Sequence, residues 1–450
     1  MSGTNVPRID KLPTPGSIQR IYLGLLLGNT LAASFIWGIN TIVLLDEGLS
    51  NLEAFAANAF FTAGMVIFEV PTGIVADTVG RRASYLLGTV TLAATTALYV
   101  LLWELEGPFW AWAAVSIGLG LGFTFFSGAV EAWLVDALKA TGFHGDLESV
   151  LGRGMTVQGV GMLAGSVAGG FLAQATNLGV PFVLRAVVLV VMFVVAFLVM
   201  KDVGFTPKRG EGVVREMRRI AGASIENGWR VPPVKWIMLS SFFIAGVGIY
   251  AFYALQPYLL ELSGEPEAYG IAGLVAAIVA GSQIVGGIVA PRARRLFQRR
   301  TSALLAATAV SAVALALTGV FDDFWVVLAL IVIWGLLDAA AMPIRQAYLN
   351  GLIPSEQRAS ILSFDSLIGS TGGVVTQPVL GRAADVSSYG TSYAIGAGIS
   401  ALALPFIALS RREEHPCDTE VAAEQEPVAS EPGELAPPRP VPAVDMSTGC

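Results

Sequence analysis

The sequence has few charged residues. Only 14% of its 450 residues are Asp, Glu, Lys or Arg, whereas a soluble chain carries about 25%. Hydrophobic residues make up 54% and the mean hydropathy is +0.67, which excludes an ordinary soluble protein. The net charge of −7 leaves no excess of positive charge to meet phosphates, so nucleic-acid binding is excluded. The composition predicts a membrane protein.

Cysteine and histidine are also scarce. Both cysteines, Cys417 and Cys450, lie near the C-terminus, which excludes a disulfide scaffold and a cysteine-rich metal site. The two histidines, His144 and His415, lie in polar stretches, so a histidine metal cluster or a Ser-His-Asp site within the membrane is excluded. The phosphate-loop pattern G-x-x-x-x-G-K-[ST] is absent, so ATP is not the energy source. We therefore expect neither an enzyme nor a bound metal or cofactor.

Long apolar stretches are abundant instead. A transmembrane helix needs about 20 mostly apolar residues. Such stretches lie at about 20–44, 53–77, 84–103, 109–137, 150–174, 180–200, 234–262, 267–290, 301–320, 324–350, 359–381 and 390–410. The sequence therefore predicts an all-α membrane protein with twelve transmembrane helices.

Lysine and arginine are distributed unevenly between the connections. One set of connections holds Arg81, Arg82, Lys139 and the basic run 292–300, whereas the other set has almost no positive charge, Arg382 being the exception. Positive residues favour the cytoplasmic side of a membrane. We therefore expect a multi-pass protein of the cell membrane with both termini in the cytoplasm.

The chain repeats itself at an offset of about 214 residues. The stretch EVPTGIVAD at 69–77 aligns with QIVGGIVAP at 283–291, and 131–138 aligns with 345–352. The repeat predicts two six-helix bundles, 1–200 and 234–410, related by a pseudo-twofold axis along the membrane normal. Residues 201–233 form a cytoplasmic linker in which 213–225 can form an amphipathic helix. Residues 411–450 are rich in Pro, Glu and Ala and are predicted to be a disordered cytoplasmic tail.

The connection between the second and third spans carries a motif. Gly73, Asp77, Gly80, Arg81 and Arg82 fit the pattern G-x-x-x-D-x-x-G-R-[KR]. With twelve spans and the internal repeat, residues 18–410 resemble the major facilitator superfamily. The resemblance implies alternating access and a cytoplasmic latch between the halves, in which the arginines reach an acid at the end of span four, here Asp136. The second-half copy is degraded, since Pro291 stands where the acid is expected.

Span five is rich in glycine. Gly152, Gly161, Gly165, Gly169 and Gly170 follow the spacing of a motif found in proton-coupled exporters of the same superfamily, although Ser166 replaces its proline. The resemblance implies antiporter-type helix packing. The alternative is close packing of small residues with no bearing on transport.

Two opposite charges occupy equivalent places in the halves. Glu131 and Arg345 are matched by the repeat and are expected at similar depth. They can form an inter-half gate that closes the cytoplasmic side. The alternative is a separate partner within each half, for example Asp365 for Arg345.

Asp338 is the acid predicted to lie deepest in the membrane, seven residues before Arg345 on the same helix. A carboxyl group in a bilayer is costly when charged, which suits a group that binds and releases the coupling proton. The alternative is an acid that is permanently neutral or paired.

Spans one, four, seven and ten are implied by the resemblance to line the substrate cavity. They offer aromatic and amide side chains: Asn29, Trp37, Asn40, Tyr250, Tyr253, Gln256 and Trp334. This set suits an amphipathic organic molecule, although each residue can equally serve in packing. Arg185 and Lys235 are expected to extend towards the membrane surface.

The leading hypothesis is a monomeric secondary transporter in the lipid bilayer that exports an amphipathic small molecule, such as a drug or metabolite, in exchange for protons. One alternative is an uptake symporter or facilitator for a sugar or organic acid. Another is a sensor or lipid-handling protein that uses the same fold.

Overall fold

The computed structural model describes residues 13–207, 215, 222, 228–353 and 358–419. Within these ranges all regular secondary structure is helical, as predicted. Nearly all of the predicted amphipathic helix at 213–225, and the tail from residue 420, lie outside the described residues.

Eight helices make up the N-terminal half. They are α1 (Pro15–Ser34), α2 (Asn40–Asp46), α3 (Asn51–Thr78), α4 (Arg81–Glu104), α5 (Phe109–Thr124), α6 (Ala129–Ala140), α7 (Leu147–Ala175) and α8 (Gly179–Val199). A local signal starts several of them. For example, Ser50 and Glu53 form a reciprocal capping box at the start of α3, which satisfies backbone groups that the helix leaves free.

The C-terminal half follows from residue 232. Its helices are α9 (Pro232–Ser263), α10 (Tyr269–Arg295), α11 (Arg300–Thr318), α12 (Phe324–Leu352), α13 (Arg358–Val386), α14 (Tyr389–Ala401) and α15 (Ala403–Arg412). Asp323 caps α12 by accepting hydrogen bonds from the backbone N–H groups of Trp325 and Val326.

Ten helices of the described part are long and apolar enough to cross a membrane, two of them counted across a short break, α5–α6 and α14–α15. The two other predicted spans are helical, but their helices are not both long enough and apolar enough to be counted among these ten. The span at 20–44 is broken at 35–39 into α1 and α2, and the span at 359–381 lies in α13, which holds Asp365, Gln377, Arg382 and Asp385. The multi-pass architecture is confirmed, whereas the total of twelve spans stays a prediction.

The helix ends define two faces of the molecule. The face that carries Arg81, Lys139 and Arg294 is called the basic face here, and the face that carries Asp46, Glu106 and Asp323 the acidic face. The two halves pack through α3 against α13 and through α7 against α10. Whatever lies between the halves is therefore bounded by these two helix pairs.

Glycines bring α7 and α10 together near the acidic face. A methyl group added to Gly170 would overlap the backbone of Gly273, and one added to Gly38 would meet the same residue. Nearer the basic face, Gly159 touches only the side chain of Ile284, and Gly152 has nothing within 4 Å. The two helices therefore diverge towards the basic face.

A carboxylate joins the halves at the acidic face. Asp385 of α13 accepts hydrogen bonds from the backbone N–H groups of Asn51 at 2.8 Å and Leu52 at 2.9 Å, the first residues of α3. The hydroxyl of Tyr389 donates to the side chain of Asn51. A helix N-terminus favours an anion, so the C-terminal half caps a helix of the N-terminal half. Further in, Gln377 donates to Thr62 at 3.3 Å.

The C-terminal segment is ordered further than predicted. Helix α15 continues to Arg412, and 416–418 form a short 3-10 helix. Asp418 accepts hydrogen bonds from the backbone and hydroxyl of Thr301, at the start of α11. The predicted start of disorder at 411 is therefore wrong for 411–419, because these residues find polar partners on the helix ends.

We predict that Asp385→Ala opens the acidic face. The substitution removes the carboxylate that accepts hydrogen bonds from two backbone N–H groups across the interface between the halves. Spin labels on Glu106→Cys and Glu265→Cys, in a protein with Cys417 and Cys450 replaced by Ser, measure the opening by double electron–electron resonance. We expect a population with a longer distance.

Asp323→Ala is the matched control, because Asp323 caps its helix in the same way but within one half. It should lower stability by about 1 kcal/mol and leave the distance distribution unchanged. Equal distributions in the two variants would contradict the assignment of Asp385 to closure.

Candidate transport pathway

A cavity of about 460 Å³ lies mainly in the N-terminal half. This volume is within the range of small-molecule sites. Its walls come from α1, α4, α5, α6, α7, α8 and α10, including the turn at 35–39 and the one between α5 and α6. The lining residues are Leu26, Asn29, Thr30, Ala33, Trp37, Leu92, Phe123, Phe126, Val130, Glu131, Met155, Gln158, Gly159, Met162, Arg185, Leu189 and Ile284. The cavity is largely apolar with a few polar groups, so it suits an amphipathic molecule.

Two of the seven predicted cavity residues line this cavity, Asn29 and Trp37. Asn29 also accepts a hydrogen bond from the hydroxyl of Tyr85 at 2.9 Å. That bond holds its amide in place, with its nitrogen still able to donate. The prediction for span one therefore identified part of the lining.

The other predicted residues lie outside the lining. Tyr250 is 1% exposed and Trp334 6% exposed, both in the apolar core of the C-terminal half. Gln256 donates to the carbonyl of Trp37 and thereby joins the halves. Asn40 donates to Asn58 at 3.0 Å. Tyr253 packs against the same core. Knowing which spans line the cavity does not show which face of each helix points towards it.

Arg185 is a lining residue that the sequence interpretation missed. It was expected to extend towards the membrane surface, yet its side chain is only 3% exposed. Its guanidinium lies over the ring of Phe123 at 5.7 Å. The available signal was a single arginine inside the apolar stretch GVPFVLRAVVLVV at 179–191.

Glu131 stands in the first turn of α6. Helix α5 ends at Thr124, and α6 starts directly after Gly128. Gly128 adopts a φ of +66°, a backbone conformation that glycine tolerates best. An acid in the first turn is stabilised by the helix dipole. The break therefore places a carboxylate in the cavity wall.

Arg345 binds Asp365 and not Glu131. The two N–H···O distances are 2.7 and 2.6 Å, which makes the pair bidentate, and Arg345 also donates to the carbonyl of Ile237 at 3.2 Å. Asp365 is 7% exposed. The alternative expected from the sequence, a partner within the same half, is the one this conformation has. The gate between Glu131 and Arg345 stays a prediction for a conformation closed at the basic face.

Asp338 is half-buried on α12. No hydrogen bond or ion pair to its carboxyl group is found in the described part of the chain. Arg345, which lies about two helical turns further along α12, is close enough for its charge to act on this carboxyl group. Asp338, Arg345 and Asp365 therefore form a cluster of two acids and one base. Such a cluster is electrically neutral when it holds one proton, because one carboxylate then balances one arginine.

The motif at the basic face is compact. Arg81 binds Asp77 at 2.5 Å and lies 3.9 Å from Asp136, and its guanidinium lies over the ring of Phe205. All these partners belong to the N-terminal half or the segment that follows it. A latch that joins both halves, which also involves Gly73 and Gly80, stays a prediction.

Asp202 anchors the start of the linker to this motif. Its carboxylate accepts a hydrogen bond from the backbone N–H of Arg82 at 2.9 Å, and a side chain at Gly80 would collide with it. Burial raises the pKa of Asp202, whereas the N–H and the charge of Arg82 act in the opposite direction. Gly80, with a φ of +136°, therefore serves close approach as well as backbone geometry.

Four of the five glycines singled out in span five make close contacts. Gly161, Gly165 and Gly169 pack against α1 and the residue that follows it, and Gly170 packs against α10. Gly152 has nothing within 4 Å. The pattern thus serves close packing, and its relation to antiport stays a prediction. No group of three or more His, Cys, Asp or Glu in the described ranges is placed to hold a metal ion.

A family model described as Major Facilitator Superfamily matches residues 22–315 and 293–444. These matches cover most of the sequence. The chain belongs to the major facilitator superfamily. A transporter of small molecules is therefore indicated, and an enzyme is not.

Solved structures of this superfamily type share the fold. The nucleoside transporter NupG has a TM-score of 0.72 at 12% identity, covering 87% of this chain and 98% of that one. A POT family transporter in complex with 5-aminolevulinic acid has a TM-score of 0.65 at 13% identity, covering 90% and 97%. The inward open conformation of the xylose transporter XylE from E. coli has a TM-score of 0.64 at 16% identity, covering 88% and 95%. Comparison with the curated proteins finds no match.

We predict that breaking the pair of Arg345 and Asp365 is costly. Asp365→Ala leaves a half-buried arginine without its carboxylate, and the loss should approach the cost of about 3–5 kcal/mol for breaking a fully buried pair. The double variant Arg345→Met, Asp365→Leu removes both charges and should recover most of the lost stability. Thermal unfolding of the purified protein measures both.

Arg153→Met serves as the control, because Arg153 is exposed on α7. It should leave the unfolding temperature nearly unchanged. A double variant no more stable than Asp365→Ala would contradict the pairing as the source of the loss.

Proposed function

We propose that this superfamily member is a proton-coupled secondary transporter that works by alternating access and exports an amphipathic organic molecule. The observation that carries the proposal is the cavity between helices that meet at the acidic face and diverge towards the basic face. With the basic face in the cytoplasm, as the positive charges favour, this is an inward-open state.

The acidic cluster of the C-terminal half supports proton coupling. Asp338 has no described partner, while Arg345 is committed to Asp365. A proton on either acid leaves one carboxylate for one arginine, a neutral arrangement that costs less in a bilayer than a cluster with a net charge. Loss of that proton would favour a rearrangement of Arg345 between the two acids. That rearrangement lies on α12 and α13, and α13 is the helix that closes the acidic face through Asp385.

The direction of transport rests on two features. The cavity walls are mostly apolar, with Phe123, Phe126 and Trp37 among them, and the glycines of α7 follow the spacing of exporters. Entry of protons down the membrane potential supplies about 2.3 kcal/mol per elementary charge per 100 mV, which can drive export.

Uptake is the second candidate function. A D-xylose–proton symporter is among the structures with this fold, with a TM-score of 0.63 at 16% identity, covering 87% of this chain and 96% of that one. The direction of the pH gradient that drives solute into proteoliposomes distinguishes the two functions. An interior acidified by a pH jump drives loading of proteoliposomes by an antiporter, whereas an acidified exterior drives loading by a symporter.

We predict that Asp338→Asn uncouples transport. The amide cannot bind and release a proton, so solute-induced proton flux, followed by a pH dye trapped in proteoliposomes, should fall at least about tenfold. Exchange of the same solute across the membrane without a gradient should persist. The solutes are first identified by a panel of amphipathic compounds tested on the wild-type protein.

Asp322→Asn is the control, because Asp322 is exposed at the acidic face, and it should retain coupling. Proton-driven loading that survives in Asp338→Asn would overturn the role of Asp338. A protein that responds to no solute on the panel, and that exchanges none, would instead support the sensor or lipid-handling alternative.

A further inference from the structure

One cationic side chain in the cavity wall has no role in the coupling scheme above. Arg185 lies on α8, six residues from its start at Gly179, and lines the cavity. Helix α8 is otherwise apolar over its whole length. A charge at such a place is costly and is retained only where something pairs with it.

The described residues do not supply that pairing. Arg185 is 97% buried, since 3% of it is exposed, and its buried Nε has no hydrogen-bond partner. No salt bridge to it is found in the described ranges, and the cavity carboxylate of Glu131 makes none. Its guanidinium lies over the face of Phe123, 5.7 Å from the ring centroid. Arginine stays charged in proteins, so the guanidinium of Arg185 has no paired anion among the described residues, although the carboxylate of Glu131 lines the same cavity.

The groups around Arg185 fit a ligand with an apolar body. Trp37 and Phe126 line the same cavity, and Asn29 and Gln158 add amide groups. The phenol groups of Tyr99 and Tyr253 lie within electrostatic reach of the guanidinium. A planar guanidinium presents N–H groups in a fork that matches the two oxygens of a carboxylate or phosphate.

We propose that Arg185 binds the oxyanion group, a carboxylate or phosphate, of an amphipathic organic substrate whose apolar part lies against Trp37 and Phe126. The identification of this ligand as the transported molecule rests on the proposed function. The binding of the anion itself does not, because it follows from the unpaired buried cation and the cavity around it.

The sequence-based expectation of an amphipathic substrate is sharpened by this assignment. A neutral or cationic molecule would enter the cavity and leave Arg185 without an acceptor. An anion restores the pairing and converts the cost of the buried charge into binding energy. The cavity should therefore bind anions more tightly than neutral molecules of the same shape.

Binding to the full-length protein in phosphatidylcholine nanodiscs tests this assignment. The probes are 1-naphthylacetate, 1-naphthyl phosphate, the neutral 1-naphthylacetamide and the cationic 1-naphthylethylamine, measured by isothermal titration calorimetry. We expect at least one anion to bind about tenfold or more tightly than the amide, and the amine to bind most weakly. Replacement of some phosphatidylcholine by phosphatidylglycerol shows whether a lipid headgroup competes for the same site.

The variants assign the preference to one residue. Arg185→Gln should bind anion and amide equally, and Arg185→Lys should keep part of the preference. The control is Lys235→Gln, since Lys235 lies over the ring of Trp236 and away from the cavity lining, and it should behave as the wild type. Measurement of amide binding to Arg185→Gln, together with its unfolding temperature, shows that the variant is folded.

Each result bears on the proposal. A preference for anions that disappears in Arg185→Gln supports it. No preference in the wild type, no binding of either anion, or a preference that survives in Arg185→Gln overturns it. Competition by phosphatidylglycerol supports an anion site but overturns a soluble substrate as its occupant. Anion binding without proton-driven transport would overturn the proposed coupling and leave the anion site intact.

Discussion

The structure depends on the cost of leaving a polar group without a partner in a bilayer. Each buried charge or free backbone group must be paired or face a cavity. Arg345 meets this demand with two hydrogen bonds to Asp365. The first N–H groups of α3 meet it with Asp385 from the other half. Because one pair is internal to a half and the other joins both halves, the same constraint stabilises each bundle and closes one end of the space between them.

Small residues make that closure reversible in principle. Gly38, Gly170 and Gly273 let backbones approach closely at the acidic face. Van der Waals packing of small residues and a handful of hydrogen bonds hold helices together in membranes. Bundles joined in this way can separate at one end while their own cores stay packed, which is what alternating access requires.

The ionisable groups that are left without a described partner indicate where function lies. Asp338 and Arg185 are two ionisable groups within the spans for which no hydrogen-bonded or ion-paired partner is found in the described ranges, as is Glu131, and of the three Glu131 and Arg185 line the cavity. Asp338 can satisfy the constraint by taking up a proton. Arg185 cannot lose its charge and must satisfy the constraint with another molecule. The two residues therefore suit different tasks, coupling and recognition, and they lie in different halves of the protein.

Much of the architecture could be predicted without coordinates. The lengths of apolar stretches, the repeat and the motif at 73–82 identify an all-helical membrane protein with two related halves, because hydrophobicity and helix length are local properties. The same local signals placed Asn29 and Trp37 in the first span, where both line the cavity. They also identified Asp365 as an alternative partner for Arg345.

Side-chain direction and pairing could not be predicted in this way. Tyr250 and Trp334 carry the residue types of a binding site, yet they face the core of their own half, and Gln256 holds the halves together. Arg185 resembles a side chain that reaches the membrane surface until its burial against Phe123 is seen. Sequence determined the composition, the helices and the charges that the membrane must accommodate. Only the tertiary structure decided which charges were paired, because pairing depends on distances between helices that are far apart in the chain.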